Sequence, residues 1–469
     1  MVSISRRETL RLGGAALGAL ALPGWAARAT HAMEAARVQP ASEIALDLLA
    51  AAGPSVVAGE AATLWTYNGT FPGPLLRWRE GDRIRLRLVN QLAESTNLHL
   101  HGLHLPAAID DPFLDVPPGG SATYAFDVPS GSAGTYWYHP HRHGRVARQL
   151  FAGLAGAIVI DGPSTDVPSL AEAEEHVLVL KDISLRRGTV AAHTPFDWMN
   201  GKEGDLVSVN GRWRPQLAPT RPLLRLRIVN AGNARYYRLL LEGHFLYQIA
   251  TDGGLLEYPV RRRSLLLAPG ERAEVLVRLR RGGAFRLLNL PYDRGRGMGP
   301  HGHGLPMHTA DGLDPGGEPL LSIRTPHTIG RGVLPQTLVP VERLTPAATA
   351  PMRRFVLSDT MMGGFAINGR RFNPDRVDER GRRGDLEVWD IVNRGAMDHP
   401  FHLHTYSFQV LSRNGVAADC AAWKDVVNLR PGDRVLLAVP LRDFAGRTVY
   451  HCHIAEHEDL GMMGVLEVT

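Results

Sequence analysis

Apolar and polar positions alternate in short runs along most of this 469-residue chain. The runs are rich in Val, Ile, Leu and Tyr and are bounded by Gly and Pro, which is typical of β-strands joined by tight turns. Clear examples are 83–89, 122–128, 223–229 and 434–439. The sequence lacks long stretches with helical periodicity. The pattern therefore predicts an all-β protein.

One set of turn and strand signals occurs three times in the same order. Each copy has an Asn-Gly turn, then a strand that ends in Val-Asn, then a Pro-Gly turn. The asparagine of the Val-Asn pair is Asn90 in the first copy, Asn230 in the second and Asn393 in the third. One such turn is a weak signal, but three ordered sets predict three related domains.

The length of the chain also suits three domains of about 130–150 residues each. We place these domains at 40–163, 170–325 and 345–469. The stretches 162–174 and 326–351 are predicted linkers, because turn-forming residues replace the alternating apolar pattern there.

The first 29 residues have the features of an export signal. Arg6 and Arg7 precede an apolar run at 12–22, and small residues follow at 27–29. This arrangement resembles a twin-arginine signal and predicts export to the periplasm or out of the cell. The apolar run is too short to be a stable membrane anchor.

The charge of the chain gives no reason to expect a nucleic-acid partner. The formal net charge is +5, and removal of 1–29 would take away four arginines and one glutamate and leave +2. A net charge this small does not favour an acidic polymer or surface as a general partner.

The C-terminal stretch contains a mixed set of metal ligands. Cys452 lies between His451 and His453, and His457 and Met462 follow five and ten residues after the cysteine. A thiolate, imidazoles and a distant thioether are the ligands of a blue-copper electron-transfer centre. Alternate side chains of an extended segment point to opposite faces. We therefore expect His451 and His453 to face away from a metal bound by Cys452 and to hold other metals.

Half of the 20 histidines fall into four tight groups. A single His-x-His pair usually consists of two ordinary imidazoles, but four groups, one of them built around a cysteine, indicate metal binding. Besides the C-terminal group, the members are His99, His101, His139, His141, His399, His402 and His404.

The threefold repeat assigns these histidines to two of the three domains. In the first and third copies, histidines lie nine and eleven residues after the Val-Asn asparagine, whereas the same offsets in the middle copy reach Leu239 and Leu241. A later His-x-His pair also lacks a counterpart in the middle copy, at 283–289. The pattern predicts a metal cluster between domains one and three, with domain two as a spacer.

Together these motifs resemble those of the multicopper oxidases, in particular the bacterial three-domain laccases and cuprous oxidases. The resemblance runs from about Thr63 to the C-terminus and is most specific at 451–464. It implies three tandem cupredoxin-like Greek-key β-barrel domains. It also implies four copper ions per chain, one of type 1, one of type 2 and two of type 3, with dioxygen as the electron acceptor.

The resemblance also implies a role for each ligand. His399, Cys452 and His457 match the type 1 copper ligands, with Met462 as the weak axial ligand and Met463 as its rival. His99 and His402 match the type 2 ligands. The type 3 pair matches six histidines: His101, His139, His141, His404, His451 and His453.

Two carboxylates match acidic residues that relay protons to the oxygen site in this family. Glu458 directly follows His457, and Asp110 lies nine residues after His101. A carboxyl group can donate protons when burial raises its pKa. The alternative for both is a surface carboxylate or one that orients a ligand. The sequence does not rank their neighbours: Asp111, Asp398 and Asp459.

The expected activity is a laccase-like oxidation of phenols, aromatic amines or low-valent metal ions, with a monomer as the simplest assembly. A cuprous oxidase is the alternative, because the Gly-rich segment 296–308 contains three histidines and two methionines that suit Cu(I). The alternative interpretation of that segment is a plain flexible loop. An alternative of another class is a non-catalytic copper-binding protein or degenerate cupredoxin scaffold.

If Cys452 binds copper, Cys420 has no partner, because the chain has two cysteines. A structural disulfide is then impossible. We expect Cys420 to be a small buried apolar residue.

Overall fold

The alternating pattern folds into three consecutive pairs of β-sheets, so the all-β prediction is confirmed. The structure, a computed structural model, describes residues 42–163, 167–295, 316–360 and 364–469. The predicted export signal lies outside these residues. Among the described residues, no helix has the length and apolar character needed to cross a membrane.

The first pair of sheets is formed mainly by residues 43–161. Its elements are β1 (Glu43–Val57), β2 (Glu60–Tyr67), β3 (Gly73–Arg79), β4 (Arg83–Asn90), β5 (His99–His101), β6 (Ser121–Asp127), β7 (Gly134–His139), α1 (Val146–Phe151) and β8 (Gly156–Asp161). The smaller sheet has the strand order β3-β8-β7-β5.

The second pair of sheets follows a short helix. Its elements are α2 (Pro168–Ala171), β9 (Glu174–Ile183), β10 (Leu185–Arg186), β11 (Thr189–Val190), α3 (Pro195–Asn200), β12 (Leu206–Val209), β13 (Gln216–Leu217), β14 (Leu223–Asn230), β15 (Tyr237–Leu241), β16 (Leu246–Thr251), β17 (Gly254–Arg262), β18 (Leu265–Leu267), β19 (Arg272–Arg278), β20 (Gly283–Leu290) and β21 (Glu318–Thr325). The strand orders are β12-β9-β14-β19-β16-β17 and β13-β21-β20-β15-β18. The hairpin of β10 and β11 instead extends the larger sheet of the first pair, in the order β10-β11-β2-β1-β4-β6.

The third pair of sheets reaches the C-terminus. Its elements are β22 (Met352–Thr360), β23 (Gly364–Ile367), β24 (Glu379–Gly381), β25 (Leu386–Asn393), β26 (His399–Leu403), β27 (Phe408–Arg413), β28 (Val416–Ala417), β29 (Trp423–Lys424), β30 (Val426–Leu429), β31 (Arg434–Pro440), β32 (Gly446–Cys452), α4 (Ala455–Asp459) and β33 (Met463–Val468). The strand orders are β23-β22-β25-β31-β27-β28 and β24-β33-β32-β26-β30, and β29 pairs with β27.

Strand alternation places one apolar face of each sheet in a core. In β4, Ile84, Leu86 and Leu88 are fully buried, whereas the arginines between them are exposed. Each fully buried aliphatic side chain of this kind stabilises the fold by about 1.5–3 kcal/mol. Each of the three sheet pairs has its own apolar cluster. The four strands predicted from sequence are β4, β6, β14 and β31, each within one residue at both ends.

The three Val-Asn asparagines have the same environment. Asn90, Asn230 and Asn393 are fully buried, and each side-chain Nδ2 donates to two backbone carbonyl oxygens. Each side-chain oxygen accepts the N–H of the residue two positions later. The same hydrogen bonds in all three copies support the predicted internal repeat. The domain boundaries remain predictions.

Candidate metal centre

Equivalent strand pairs place the histidines side by side. His99 on β5 pairs with His139 on β7, and His402 on β26 pairs with His451 on β32. At the equivalent position of the second domain, Leu239 on β15 pairs with Asn289 on β20. The first and third domains therefore contribute the imidazoles. All eight histidines assigned to the type 2 and type 3 sites are at most 2% exposed: His99, His101, His139, His141, His402, His404, His451 and His453.

One set of three imidazoles joins the two domains. The Nε2 atoms of His141, His404 and His451 all lie 3.1 Å from one another. Burial and the neighbouring imidazoles hold the pKa values of His141 and His404 well below the ordinary value, and burial lowers the pKa of His451 to about 4. Three neutral imidazoles whose nitrogens meet at one point are suited to share a metal ion.

A second set has nitrogens without hydrogen-bond partners. The ring centres of His101, His139 and His453 lie 4.8–5.7 Å apart. The Nε2 atoms of all three are buried and have no hydrogen-bond partner among the described residues, and His453 Nδ1 has none there either. Buried polar atoms are rarely left unpaired. These lone pairs therefore fit a metal ion.

Hydrogen bonds from Nδ1 orient the two remaining histidines, His99 and His402. His99 Nε2 and His402 Nε2 lie 3.4 Å apart. His99 Nδ1 donates to the carboxylate of Asp110 at 2.8 Å, and His402 Nδ1 donates to the backbone oxygen of Asp425 at 2.8 Å. Because Nδ1 carries the proton in both rings, both Nε2 atoms are free to bind a metal.

A separate site lies around the cysteine. Cys452 Sγ is 3.4 Å from His399 Nδ1 and 3.8 Å from His457 Nδ1, and all three residues are fully buried. Met462 belongs to the same apolar cluster as Cys452, whereas Met463 lies on β33 and pairs with His451. This soft ligand set suits copper, and the packing favours Met462 over Met463.

Neighbouring groups orient both imidazoles of this site. His399 Nε2 donates to Asp359 Oδ2 at 3.2 Å, and His457 Nε2 donates to the backbone oxygen of Met199 at 3.3 Å. The ring of Phe365 stacks on His457 with ring centres 3.9 Å apart. Burial would raise the pKa of Asp359, but its hydrogen bonds with His399 and backbone amides hold that pKa below the ordinary value.

The two proposed relay carboxylates both face the histidine cluster. Asp110 is 2% exposed and also lies 3.4 Å from His404 Nδ1. Glu458 is 1% exposed, and its two oxygens lie 3.2 Å from His141 Nε2 and 3.2 Å from His451 Nδ1.

The three acidic residues that the sequence could not rank against Asp110 and Glu458 form hydrogen bonds away from the histidine cluster. Asp398 accepts hydrogen bonds from the side chains of Tyr292 and Asn428. Asp459 accepts backbone N–H groups at the start of α1, and Asp111 accepts the N–H of Phe113. Their hydrogen bonds give none of them the contacts with the ligand histidines that Asp110 and Glu458 have.

Sequence reasoning missed two charged residues at the cluster. Arg272, from the second domain, donates to both carboxylate oxygens of Asp425 at 2.7 and 2.6 Å, and its Nη1 lies 3.3 Å from His101 Nδ1. Arg272 is 1% exposed and Asp425 is also 1% exposed. No metal-ligand spacing marks either residue. Arg272 follows the Pro-Gly turn of the copy without histidines, so the turn is the only signal that could have drawn attention to it.

The second domain is more than the spacer that the histidine pattern predicts. Besides Arg272, it supplies Gly270, which has φ +83° and lies against His453. A Cβ at Gly270 would lie 2.6 Å from the His453 ring. The Pro-Gly turn of the copy without histidines therefore packs directly on a proposed ligand.

Two further predictions concern Cys420 and the segment 296–308. Cys420 is partly exposed, so the prediction that it is buried is wrong, and both cysteines are free. Cys420 lies in the bend between β28 and β29, which keeps it partly exposed rather than in a core. The segment 296–308 lies outside the described residues, so its role as a Cu(I) lid stays a prediction.

Three family models, each described as "Multicopper oxidase", match residues 51–165, 199–295 and 345–469. The chain belongs to the multicopper oxidase family. Family membership implies copper, and multicopper oxidases use dioxygen and an electron donor. The cupredoxin-like fold class predicted from sequence is thereby confirmed as well.

Two relatives of this multicopper oxidase have different names. "Multicopper oxidase mco" of Staphylococcus haemolyticus is 31% identical over 413 residues, which cover 86% of this chain and 83% of the relative. "Cell division protein FtsP" of Salmonella typhimurium is 31% identical over 448 residues, which cover 91% and 90%.

Solved structures of the family have the same fold. A multicopper oxidase from Campylobacter jejuni, described as a metallo-oxidase, gives a TM-score of 0.80 at 33% identity, with 91% of both chains covered. A laccase from Pediococcus acidilactici gives 0.79 at 29% identity, with 91% of this chain and 90% of the laccase covered.

Proposed function

We propose that this multicopper oxidase is a laccase-like enzyme. It would couple one-electron oxidation of phenols, aromatic amines or low-valent metal ions to the four-electron reduction of dioxygen to water. The observation that carries the proposal is the division of three consecutive residues between sites. Cys452 lies with His399 and His457, His451 with His141 and His404, and His453 with His101 and His139.

Copper ions bound here would supply the redox chemistry, with one ion at Cys452 and three among the eight histidines. The backbone of 451–453 provides a short covalent connection between the two sites. His451 and Cys452 end β32 and pair with β26, and the N–H of His453 donates to the backbone oxygen of Pro400 at 2.7 Å, so hydrogen bonds to β26 hold the connection in place. Eight imidazoles shared by three ions leave coordination positions for dioxygen.

Glu458 is the proposed proton donor to the oxygen site. Burial, with neighbouring Asp459 and Glu456, raises its pKa well above the ordinary value, which favours the protonated carboxyl group that a proton donor needs. In the described part of the chain its Oε1 has no hydrogen-bond partner, and it lies 3.2 Å from His141 Nε2. Asp110 binds His99 and lies near His404, so it orients two ligands and can act in the same relay.

The donor is proposed to approach over α3. His457 itself is fully buried, but its Nε2 donates a hydrogen bond to the backbone oxygen of Met199. Met199 is 50% exposed. Phe196, on the same helix, is 37% exposed. A small aromatic donor can therefore contact an apolar surface that is one hydrogen bond away from a type 1 ligand.

The proposal is tested by copper analysis and oxygen uptake on fully loaded protein. We expect four copper ions per chain, an intense blue absorption that Cys452→Ser abolishes, and oxygen consumption driven by a phenol. Binding of a single copper ion would contradict the cluster among the eight histidines. Blue colour retained in Cys452→Ser would contradict the type 1 assignment.

A cuprous oxidase is the second candidate, favoured by the Campylobacter metallo-oxidase with its 33% identity. Replacement of Met298, Met307, His301, His303 and His308 should then lower Cu(I) oxidation while phenol oxidation holds. Equal losses with both donors would point to a structural role of the segment.

A non-catalytic scaffold is the third candidate, because the FtsP relatives are named for cell division and not for an oxidase activity. The complete ligand set argues against it, because a scaffold does not need twelve buried residues arranged around two metal sites. Absence of oxygen uptake by fully loaded protein with both a phenol and Cu(I) would favour the scaffold.

Export by the twin-arginine signal at 1–29 is also a proposal. Replacement of Arg6 and Arg7 by lysine should retain the protein inside the cell in a fractionation experiment. Unchanged export would point to another route.

A further inference from the structure

A cleft on the second domain has a strongly cationic lining. It has a volume of about 460 Å³ and lies between the turn at 243–247, the end of β19 and residues 330–331. Its lining contains four exposed arginines, and none of its described residues is an aspartate or glutamate. The arginines are Arg278, Arg280, Arg281 and Arg331.

These guanidinium groups have no carboxylate partners within 4.0 Å in the described part of the chain. Other exposed arginines of this chain have a carboxylate partner; for example, Arg77 Nε lies 2.7 Å from Asp161 Oδ2. The acidic residue next to the cleft, Glu242, is already bound by the side chain and backbone N–H of Arg286. The positive charge of the cleft is therefore not neutralised from within, and an anion would relieve the repulsion.

The backbone of the cleft is fixed in place. His244 Nδ1 donates to the backbone oxygen of Glu242 at 2.7 Å, and His244 Nε2 accepts the N–H of Arg280 at 3.1 Å. The hydroxyl of Thr325 donates to the backbone oxygen of Arg280 at 2.8 Å. Both nitrogens of His244 are used, so the arginine side chains are the groups free to bind a ligand.

Two further arginines lie beside the cleft, over an aromatic ring of its lining. Phe245 and Tyr247 belong to the lining. The guanidinium of Arg261 lies 4.1 Å from the centre of the Phe245 ring and that of Arg263 lies 5.4 Å from it. At these distances the ring attracts both guanidinium groups through cation–π interactions, which keeps their charge beside the cleft.

The cleft is separate from the proposed metal sites. Strand β19 begins at Arg272, beside His101, and ends at Arg278 in the cleft. At about 3.3 Å per residue, its ends are about 20 Å apart. A ligand in the cleft would not touch the histidine cluster, so its binding is independent of the oxidase chemistry.

We propose that this cleft binds phosphate groups, as an anion with at least two negative charges. Guanidinium groups bind phosphate oxygens through paired hydrogen bonds, and four arginines lining one cleft favour a multiply charged anion over a single carboxylate. Soluble diphosphates and the phosphomonoester headgroups of anionic lipids offer the same chemistry. Binding of the second kind would hold the enzyme at a membrane surface.

Calorimetric titration of the copper-loaded protein with inorganic pyrophosphate tests the first source. Flotation with phosphatidic acid vesicles, whose phosphomonoester headgroup can carry two negative charges, against phosphatidylcholine vesicles, tests the second. The variant Arg280→Gln/Arg331→Gln should weaken binding at least tenfold in whichever arm is positive. The matched control is Arg212→Gln/Arg383→Gln, which removes two exposed arginines that lie outside the cleft and have no carboxylate partner within 4.0 Å among the described residues.

Each outcome decides the proposal. Pyrophosphate binding assigns a soluble ligand, and vesicle binding without it assigns a lipid headgroup, provided that the cleft variant alone is weakened. Equal weakening in the control variant would mean general attraction to positive charge and would overturn the proposal. Absence of binding to both probes at millimolar concentration and low salt would also overturn it. Oxygen uptake with a phenol should be the same in both variants, which verifies their folding.

Discussion

Asn233 connects all three domains beside the cysteine site. Its Nδ2 donates to the backbone oxygen of Ala147 at 2.7 Å and to Glu456 Oε1 at 2.9 Å, and its Oδ1 accepts from Lys181 Nζ at 3.2 Å. Its backbone oxygen also accepts the N–H of Ala455 at 3.2 Å. Glu456 and the ligand His457 lie on the same short helix, α4. Asn233→Ala should therefore loosen the helix that positions a ligand.

The magnitude follows from the groups that lose a partner. Asn233, Lys181 and Glu456 are at most 1% exposed. A buried polar group left without a partner costs about 1–3 kcal/mol. The Ala147 carbonyl and the Lys181 ammonium each lose a hydrogen bond, whereas Glu456 keeps the one from His193. We expect Asn233→Ala to lower the free energy of unfolding by about 3–5 kcal/mol.

Denaturant unfolding of the metal-free protein measures this loss, and blue absorption of the loaded protein reports on the cysteine site. Asn289→Ala is the control, because Asn289 is 9% exposed and its Oδ1 accepts the N–H of Arg238 within the second domain. The control should lose about 1–2 kcal/mol and keep its blue colour. If Asn233→Ala costs no more than the control and binds type 1 copper equally well, the tether does not position α4.

Three further results are expected. Glu458→Gln should slow reoxidation by dioxygen while reduction of type 1 copper by the donor is nearly unchanged, and Asp110→Asn should behave likewise; stopped-flow traces with unchanged reoxidation would remove either residue from the relay. Gly270→Ala should lower the copper content measured by metal analysis but keep the blue absorption, because its Cβ would lie 2.6 Å from His453 and Gly270 has φ +83°; full copper content would refute this reasoning. Burial lowers the pKa of Lys181 to about 8 from 10.5, so its protonation opposes folding and stability rises with pH between these values. Lys181→Met should flatten that rise by roughly 3 kcal/mol in urea unfolding measured across this pH range, and an unchanged slope would contradict the shift.

Local pattern accounts for the strands and for the ligand types. Strand β4 begins at Arg83 as predicted, because its apolar residues alternate with arginines and one face must enter a core. The ninth residue after each Val-Asn asparagine occupies the same ladder position in all three domains. These features depend on short-range spacing along one strand, so they can be read from sequence.

Contacts between distant segments could not be predicted in this way. Asp425 and Arg272 lie 153 positions apart, and His399 and Asp359 lie 40 apart. No spacing rule connects such pairs, because their approach depends on how whole domain surfaces pack. The same reason explains the wrong prediction for Cys420, whose exposure depends on the path of a surface turn.

Sequence therefore determines the chemistry available at this centre, since a cysteine and ten histidines in fixed order specify soft and imidazole ligands. Tertiary structure decides how they are shared. His141 meets His404 and His451 only because the first and third domains pack together. The second domain completes the site with Arg272 and Gly270, although its own copy of the repeat has Leu239 where the others have histidine. The physical reason is that strand periodicity sets the direction of a side chain, whereas domain packing sets which other side chains it meets.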